Sequence, residues 1–330
     1  MPTNLPPEYF RIEPTLREAK TPLEKIEVCE KLLAVIPRHK GTEKLVALYK
    51  SKISKFREDA QKKSSTAHRG PLLRIEASGA GQVVVAGPPN AGKSSLVRAL
   101  TSAEVEVADY PFTTRVPSPF MMPFENVKVQ LVDTPPVTSE FMETWFPETL
   151  KTSDAVLLVA DLGDADSASL IDRIVAKLRE KKVEFTAADA EIRPEKGPFL
   201  KRTLLAANKA DLDPGGKAFA DLDLLLEGPF ERLAVSALTG FRVHELKRRV
   251  FGLLHVVRAH SKVPGKKAEL DSPFALRKGS TVLDMARAVH KDFAERLDFA
   301  RIWSKDGRID GLRVNRDHVL NDEDIVELHL

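Results

Sequence analysis

The octapeptide Gly87-Pro88-Pro89-Asn90-Ala91-Gly92-Lys93-Ser94 sets two glycines, a lysine and a hydroxyl at the spacing GxxxxGKS. That pattern suits the capture of a polyphosphate. Main-chain N–H groups wrap the phosphates, the lysine neutralises their terminal oxygens, and the serine hydroxyl ligates Mg2+. Gly87, Asn90, Ala91, Gly92, Lys93, Ser94 and Ser95 are therefore candidate phosphate contacts, Lys93 as the charge donor and Ser94 as a metal ligand. Pro88 and Pro89 remove two donors, while those from Asn90 through Ser95 remain.

Two later segments could read a base. Asn208-Lys209-Ala210-Asp211 matches NKxD. A carboxylate at Asp211 accepts from the two N–H donors on the guanine edge, which adenine lacks, so it selects one purine and rejects the other. The Lys209 stem would cover the base and Asn208 would brace the loop. Ser236-Ala237-Leu238 matches the element whose backbone N–H reads the guanine oxygen. Asp133, opening Asp133-Thr134-Pro135-Pro136, is placed to hold a Mg2+-bound water. Each motif alone is equally at home in a solvated turn; their order and spacing behind the phosphate loop give them meaning together.

These residues need a scaffold. Short apolar runs at Val83–Ala86, Val127–Val132, Ala155–Ala160, Thr203–Ala207 and Leu233–Val235 alternate with helical patterns at Ser95–Leu100, Ser167–Leu178 and Val243–Val256. The alternation predicts an α/β, doubly wound and mostly parallel sheet, with the motifs at strand ends. Residues 185–200 read as a polar surface insertion. Upstream, Ile26, Cys29, Leu32, Leu33 and Ile36, then Leu45, Leu48, Ile53 and Phe56, predict a helical hairpin broken at Pro37–Gly41. Downstream of a linker expected near Ser261, a helix over Thr281–Arg296 and short strands around 301–303, 312–314 and 325–328 form a unit of different texture. The expected domains are 1–78 (helical arm and linker), 79–260 and 268–330.

Composition sets limits. A single cysteine, Cys29, excludes an internal disulfide. The amino terminus lacks a secretory pattern, and no apolar run approaches the roughly 20 residues of a membrane helix, so a cytoplasmic location is expected. Net charge is +3, yet residues 38–63 carry nine Lys/Arg against three Asp/Glu. Nucleic-acid contact is sought there first, although a solvated helix face would show the same bias. Trp145 and Phe146 read as core more readily than as a partner surface. His244 and His290 show no metal-ligand spacing.

Asp109-Tyr110-Pro111-Phe112-Thr113-Thr114-Arg115, lying between the phosphate loop and Asp133, resembles the switch segment of the Obg/DRG family of translation-factor-class GTPases. Ser272–Val282, Ala300–Trp303 and Asp317–Val326 resemble a TGS domain, a ubiquitin-like β-grasp module. The likeness covers roughly residues 80–258 and 270–330. It implies GTP and GDP as ligands, Thr114 (with Thr113 second) on Mg2+ and the γ-phosphate, and a ribosome or RNA as partner through residues 38–63 and the TGS unit. In several such GTPases an Asn at the position of Asn90 ligates K+, which would then act in catalysis with Lys93 and Thr114. The chain departs from the pattern at Pro136, where a glycine N–H normally meets the γ-phosphate, and at Val137, where a water-orienting glutamine can stand. The expectation is a slow GTPase switch, or else a GTP-binding scaffold that does not hydrolyse.

Overall fold

The computed structural model describes residues 75–101, 117–138, 142–192 and 197–330, with scattered positions in the first 72 residues. The chain divides into two compact units, Met1–Leu72 and Leu73–Leu330. In the first, Lys25, Val28, Cys29, Leu32, Leu33, Tyr49 and Lys52 are helical, and Cys29, Leu32 and Tyr49 are buried. Most of the basic segment 38–63 lies outside the described residues.

The second unit holds two sheets. The strands of the first are β1 (Gln82–Ala86), β2 (Ser118–Phe124), β3 (Val127–Asp133), β4 (Ala155–Asp161), β5 (Val183–Thr186), β6 (Phe199–Asn208) and β7 (Glu231–Ala234). Their order is β2-β3-β1-β4-β6, with β5 and β7 both pairing β6. Every pairing is parallel except β2 with β3. The central strands β1 and β4 are buried almost throughout, as a sheet covered on both faces requires. Apolar packing on one face involves α1 (Lys93–Thr101) and the later helix Val243–Leu253. On the other it involves α2 (Phe146–Thr152), α3 (Ser167–Glu180) and α4 (Lys217–Leu225). The expected doubly wound α/β architecture is present.

β2 escapes the sequence pattern because Pro119 and Pro123 interrupt it. It is an edge strand, where a missing N–H leaves no ladder bond unmade on the open side. Phe146 is fully buried and Trp145 packs beside it, ring centroids 6.1 Å apart, so the core reading of that pair holds.

The helix expected to reach Val256 ends earlier. α5 covers Val243–Leu253, and β8 (Val256–Lys262) follows after Leu254 and His255. β8 belongs to the second sheet, with β9 (Phe274–Arg277), β10 (Phe299–Trp303), β11 (Asp310–Val314) and β12 (Asp324–His329), in the order β11-β10-β12-β8-β9. The segment expected as a linker near Ser261 is the connection of the β8–β9 hairpin. The apolar spacing of VVRAHSK continues the helical pattern by chance; pairing with β9 and β12 decides it. On sheet membership we place the start of the second module at Val256 rather than 268.

The helix expected over Thr281–Arg296 is two helices, α6 (Val282–Val289) and α7 (Lys291–Arg296), broken where His290 is extended. Thr281 and Asp284 cap α6 reciprocally. With its first and last strands parallel at the centre and a helix packed on one face, this module has the β-grasp arrangement.

Candidate functional site

The carboxyl ends of β1, β3, β4, β6 and β7 lead into Gly87, Asp133, Asp161, Asn208 and Ser236. Open α/β sheets bind ligands along such a rim.

The phosphate loop turns sharply between β1 and α1. At Gly87 a Cβ would lie 2.4 Å from the Val159 carbonyl oxygen, so only glycine lets the loop leave beside β4. Gly92 has φ +84°, and a Cβ there would sit 2.3 Å from Asn208 Nδ2. Lys93 folds back over the loop, its Nζ donating to the Gly87 and Pro88 carbonyl oxygens at 3.0 and 2.9 Å. Burial holds its ammonium down to about 8, against a smaller opposing pull from Asp133. Asn90 is exposed with φ +60°. Ala91 is buried and Ser95 exposed.

The Ser94 hydroxyl donates to Asp133 Oδ2 at 2.5 Å. Burial pushes the Asp133 carboxyl above its usual range, opposed by the Ser94 hydroxyl and then by the charges of Lys93 and Arg98. Its other oxygen, Oδ1, is buried with no hydrogen-bond partner among the described residues. A buried carboxylate oxygen left over beside a serine hydroxyl is a donor set suited to a hydrated hard cation. Thr113, Thr114 and Arg115 lie outside the described residues.

The base-reading elements converge on Asn208. Its amide donates to the Ala91 carbonyl oxygen at 3.0 Å, and its oxygen accepts from the Ala237 N–H at 3.0 Å. One buried side chain thus ties the phosphate loop to the loop after β7. The Ser236 hydroxyl donates to the Asp211 carboxylate and accepts from the Thr239 N–H at 3.1 Å. Asp211 itself is exposed on the rim. Lys209 adopts φ +65° and its Nζ pairs with Asp161 Oδ2 at 2.6 Å. Asp161 was missed by motif reading; its place at the end of an apolar strand, like that of Asp133, is the signal that could have found it.

After Asp133, the Thr134 hydroxyl donates to the Val85 carbonyl oxygen at 2.7 Å, and Val137 is buried with its N–H on the Gly87 carbonyl oxygen at 3.1 Å. The side chain at Val137 therefore packs in the apolar cluster of the α2–α3 face. His244 and His290 are exposed, and no cluster able to hold a metal through three or more His, Cys, Asp or Glu occurs among the described residues.

The chain matches two family models: one described as a 50S ribosome-binding GTPase over residues 82–192, and the TGS domain over residues 260–330. It is 26% identical to a GTP-binding protein of Methanocaldococcus jannaschii, an alignment covering 92% of each chain. It is 22% identical to developmentally-regulated GTP-binding protein 2 of Mus musculus, covering 93% of this chain and 98% of that one. Among solved structures, the YchF GTPase of Schizosaccharomyces pombe superposes with a TM-score of 0.55 at 14% identity, over 78% of this chain and 100% of that chain, a likeness of fold.

Proposed function

We propose that this chain, a P-loop GTPase of DRG-like type with a C-terminal TGS domain, binds GTP and GDP with Mg2+ and turns GTP over slowly as a ribosome- or RNA-associated switch in the cytoplasm. The observation that carries the nucleotide half is the Asn208 bridge, which makes the phosphate and base loops one unit. In this reading Gly87, Asn90, Ala91, Gly92, Lys93, Ser94 and Ser95 hold the phosphates. Asn208, Lys209, Asp211, Ser236 and Ala237 hold the base.

Ser94, Asp133 through water, and Thr114 would hold Mg2+; the unpaired Asp133 oxygen supports this assignment. The bound ion would neutralise charge developing between the β- and γ-phosphates. Asn90 would ligate K+. Turnover is slow because Pro136 has no N–H for the γ-phosphate, and because Val137 is buried, with no polar group to orient water. The partner half rests on the basic segment 38–63, the TGS domain and the description of the matched GTPase family.

A second reading, a GTP-binding scaffold without turnover, is favoured by the Val137 amide already tied to Gly87. A time course of GDP formation in K+ or Na+, with and without ribosomes, separates the two. Turnover raised by K+ or ribosomes supports the switch, and none under any condition supports the scaffold. Ribosome co-sedimentation with GDP and a non-hydrolysable GTP analogue tests the partner, and a result independent of nucleotide removes the switch.

A further inference from the structure

The turn joining β2 to β3 is gripped by the other sheet. Arg258 on β8 has a side chain only 5% exposed, and its guanidinium is shared between the two modules. Nε and Nη2 donate to the two Asp322 oxygens at 3.1 and 2.7 Å, and Nη2 also meets Glu323 at 2.7 Å. Nη1 turns outward, to Asn126 Oδ1 at 3.1 Å and to the Glu125 carboxylate. The Asn126 amide donates in turn to the Leu270 carbonyl oxygen, on the β8–β9 connection, at 3.2 Å.

Rings fill the space below. Phe124, the last residue of β2, stacks on Phe251 of α5 with centroids 4.6 Å apart, and the Arg258 guanidinium lies 5.4 Å over the Phe251 ring. Glu125 has φ +50° at the first central position of a two-residue hairpin turn, where glycine is favoured. A glutamate is held in that conformation while its carboxylate is held by Arg258.

We infer that Arg258 is a positioning residue for the nucleotide site, and that the TGS module tunes Mg2+-dependent discrimination between GTP and GDP through the β2–β3 hairpin. This rests on the GTP-site reading above. β3 runs without interruption from the gripped turn to Asp133, and Ser118, opposite Asp133 at the start of β2, follows the segment that carries Thr114. The hairpin is a lever on the order of 20 Å long, one end in the Arg258 grip and the other ending at Asp133. The segment after Asp133 is held differently: two prolines precede Val137, whose amide donates to the Gly87 carbonyl oxygen. Coupling between two sites is reciprocal. A ligand that draws the TGS module from the turn changes the GTP/GDP preference by the factor that exchanging GDP for GTP changes its own affinity.

The test uses the full chain. Affinities for GDP and a non-hydrolysable GTP analogue are measured in Mg2+ and in EDTA for wild type, for Glu125→Gly combined with Asn126→Ala, and for Arg258→Lys. Glycine suits the φ at 125, so the double variant loses the grip without losing the turn. The expected result is an analogue/GDP affinity ratio shifted by about fivefold or more in Mg2+, with affinities in EDTA unchanged. Arg258→Lys, which keeps charge and loses the fork, falls between. A purely structural brace would lower the melting temperature and leave that ratio alone. Ratios within about twofold of wild type in both variants would overturn the inference while leaving the site intact. A wild type that binds neither nucleotide would overturn the site reading and this inference together.

Discussion

The main-chain N–H of Val137 donates to the Gly87 carbonyl oxygen at 3.1 Å, the same oxygen that receives Lys93 Nζ at 3.0 Å. The segment after Asp133 is therefore stitched to the phosphate loop by its backbone. The Val137 side chain faces apolar neighbours.

Val137→Gln should consequently fail to create a faster enzyme. An amide buried there without partners costs about 1–3 kcal/mol, read as a lower denaturation midpoint, while GDP formation stays at the wild-type rate. A tenfold or greater rise, on the order of 1.4 kcal/mol in barrier, would show that residue 137 does reach the reacting phosphate.

Gly92→Ala drives a methyl to within 2.3 Å of Asn208 Nδ2, at a φ of +84° that alanine resists. The cost is about 1–3 kcal/mol from strain alone, and the Asn208 bridge must yield. Calorimetric titration should show GDP and GTP affinity both falling more than about tenfold, since the bridge joins both ends of the ligand site. A loss confined to GTP would contradict this.

Asp211→Asn replaces a double acceptor with a group offering one acceptor and one donor. Competition binding should show guanine nucleotides losing affinity and xanthine nucleotides gaining it. Preserved GTP preference would place the base elsewhere. Because Ser236 donates to this carboxylate, Ser236→Ala should weaken GTP binding in the same direction by a smaller factor.

Burial holds the Lys93 and Lys201 ammonium groups to about 8, against an ordinary 10.5. Above the folded value the unfolded chain binds more protons than the folded one. These two lysines therefore make unfolding free energy rise with pH between about 8 and 10.5 and contribute no slope below that window. Nucleotide affinity runs the other way, because phosphate requires the charged form of Lys93. GDP titrations should show affinity level below about pH 7.5, then declining toward tenfold per unit above 8. Among the described residues Lys201 donates to the Lys151 and Ser153 carbonyl oxygens, away from the phosphate loop, so Lys201→Met should retain that decline. A flat profile in wild type would mean that Lys93 does not meet the phosphates.

The sequence yielded the site more readily than its supports. Gly87, Asp133, Asn208 and Ser236 stand at strand ends because glycine and short polar residues interrupt apolar runs there, Lys93 opens the helix after the first of them, and such interruptions can be read locally. Asp161 was equally placed, but lacked a motif around it. β2 and β8 were missed for a different reason: their pairing partners, β3 for the first and β9 with β12 for the second, lie elsewhere in the chain, and neither proline-broken SPFMMPF nor VVRAHSK declares a period of two. Arg258 and Lys201 belong to no motif in the sequence. Only the carboxylates and carbonyl oxygens folded around them show why burial is tolerated.

The two-residue junction of Leu254 and His255 has a practical side. A fragment cut at residue 260 or 267 to isolate the GTPase domain would retain most or all of β8 and discard β9 and β12, which satisfy it on both flanks. The stump would be a bare strand with open hydrogen-bonding groups, inviting self-association. Oligomers of such a fragment would report the place of the cut. A fragment ending at His255, with no stray strand to pair, is the better one for asking how the GTPase domain behaves alone.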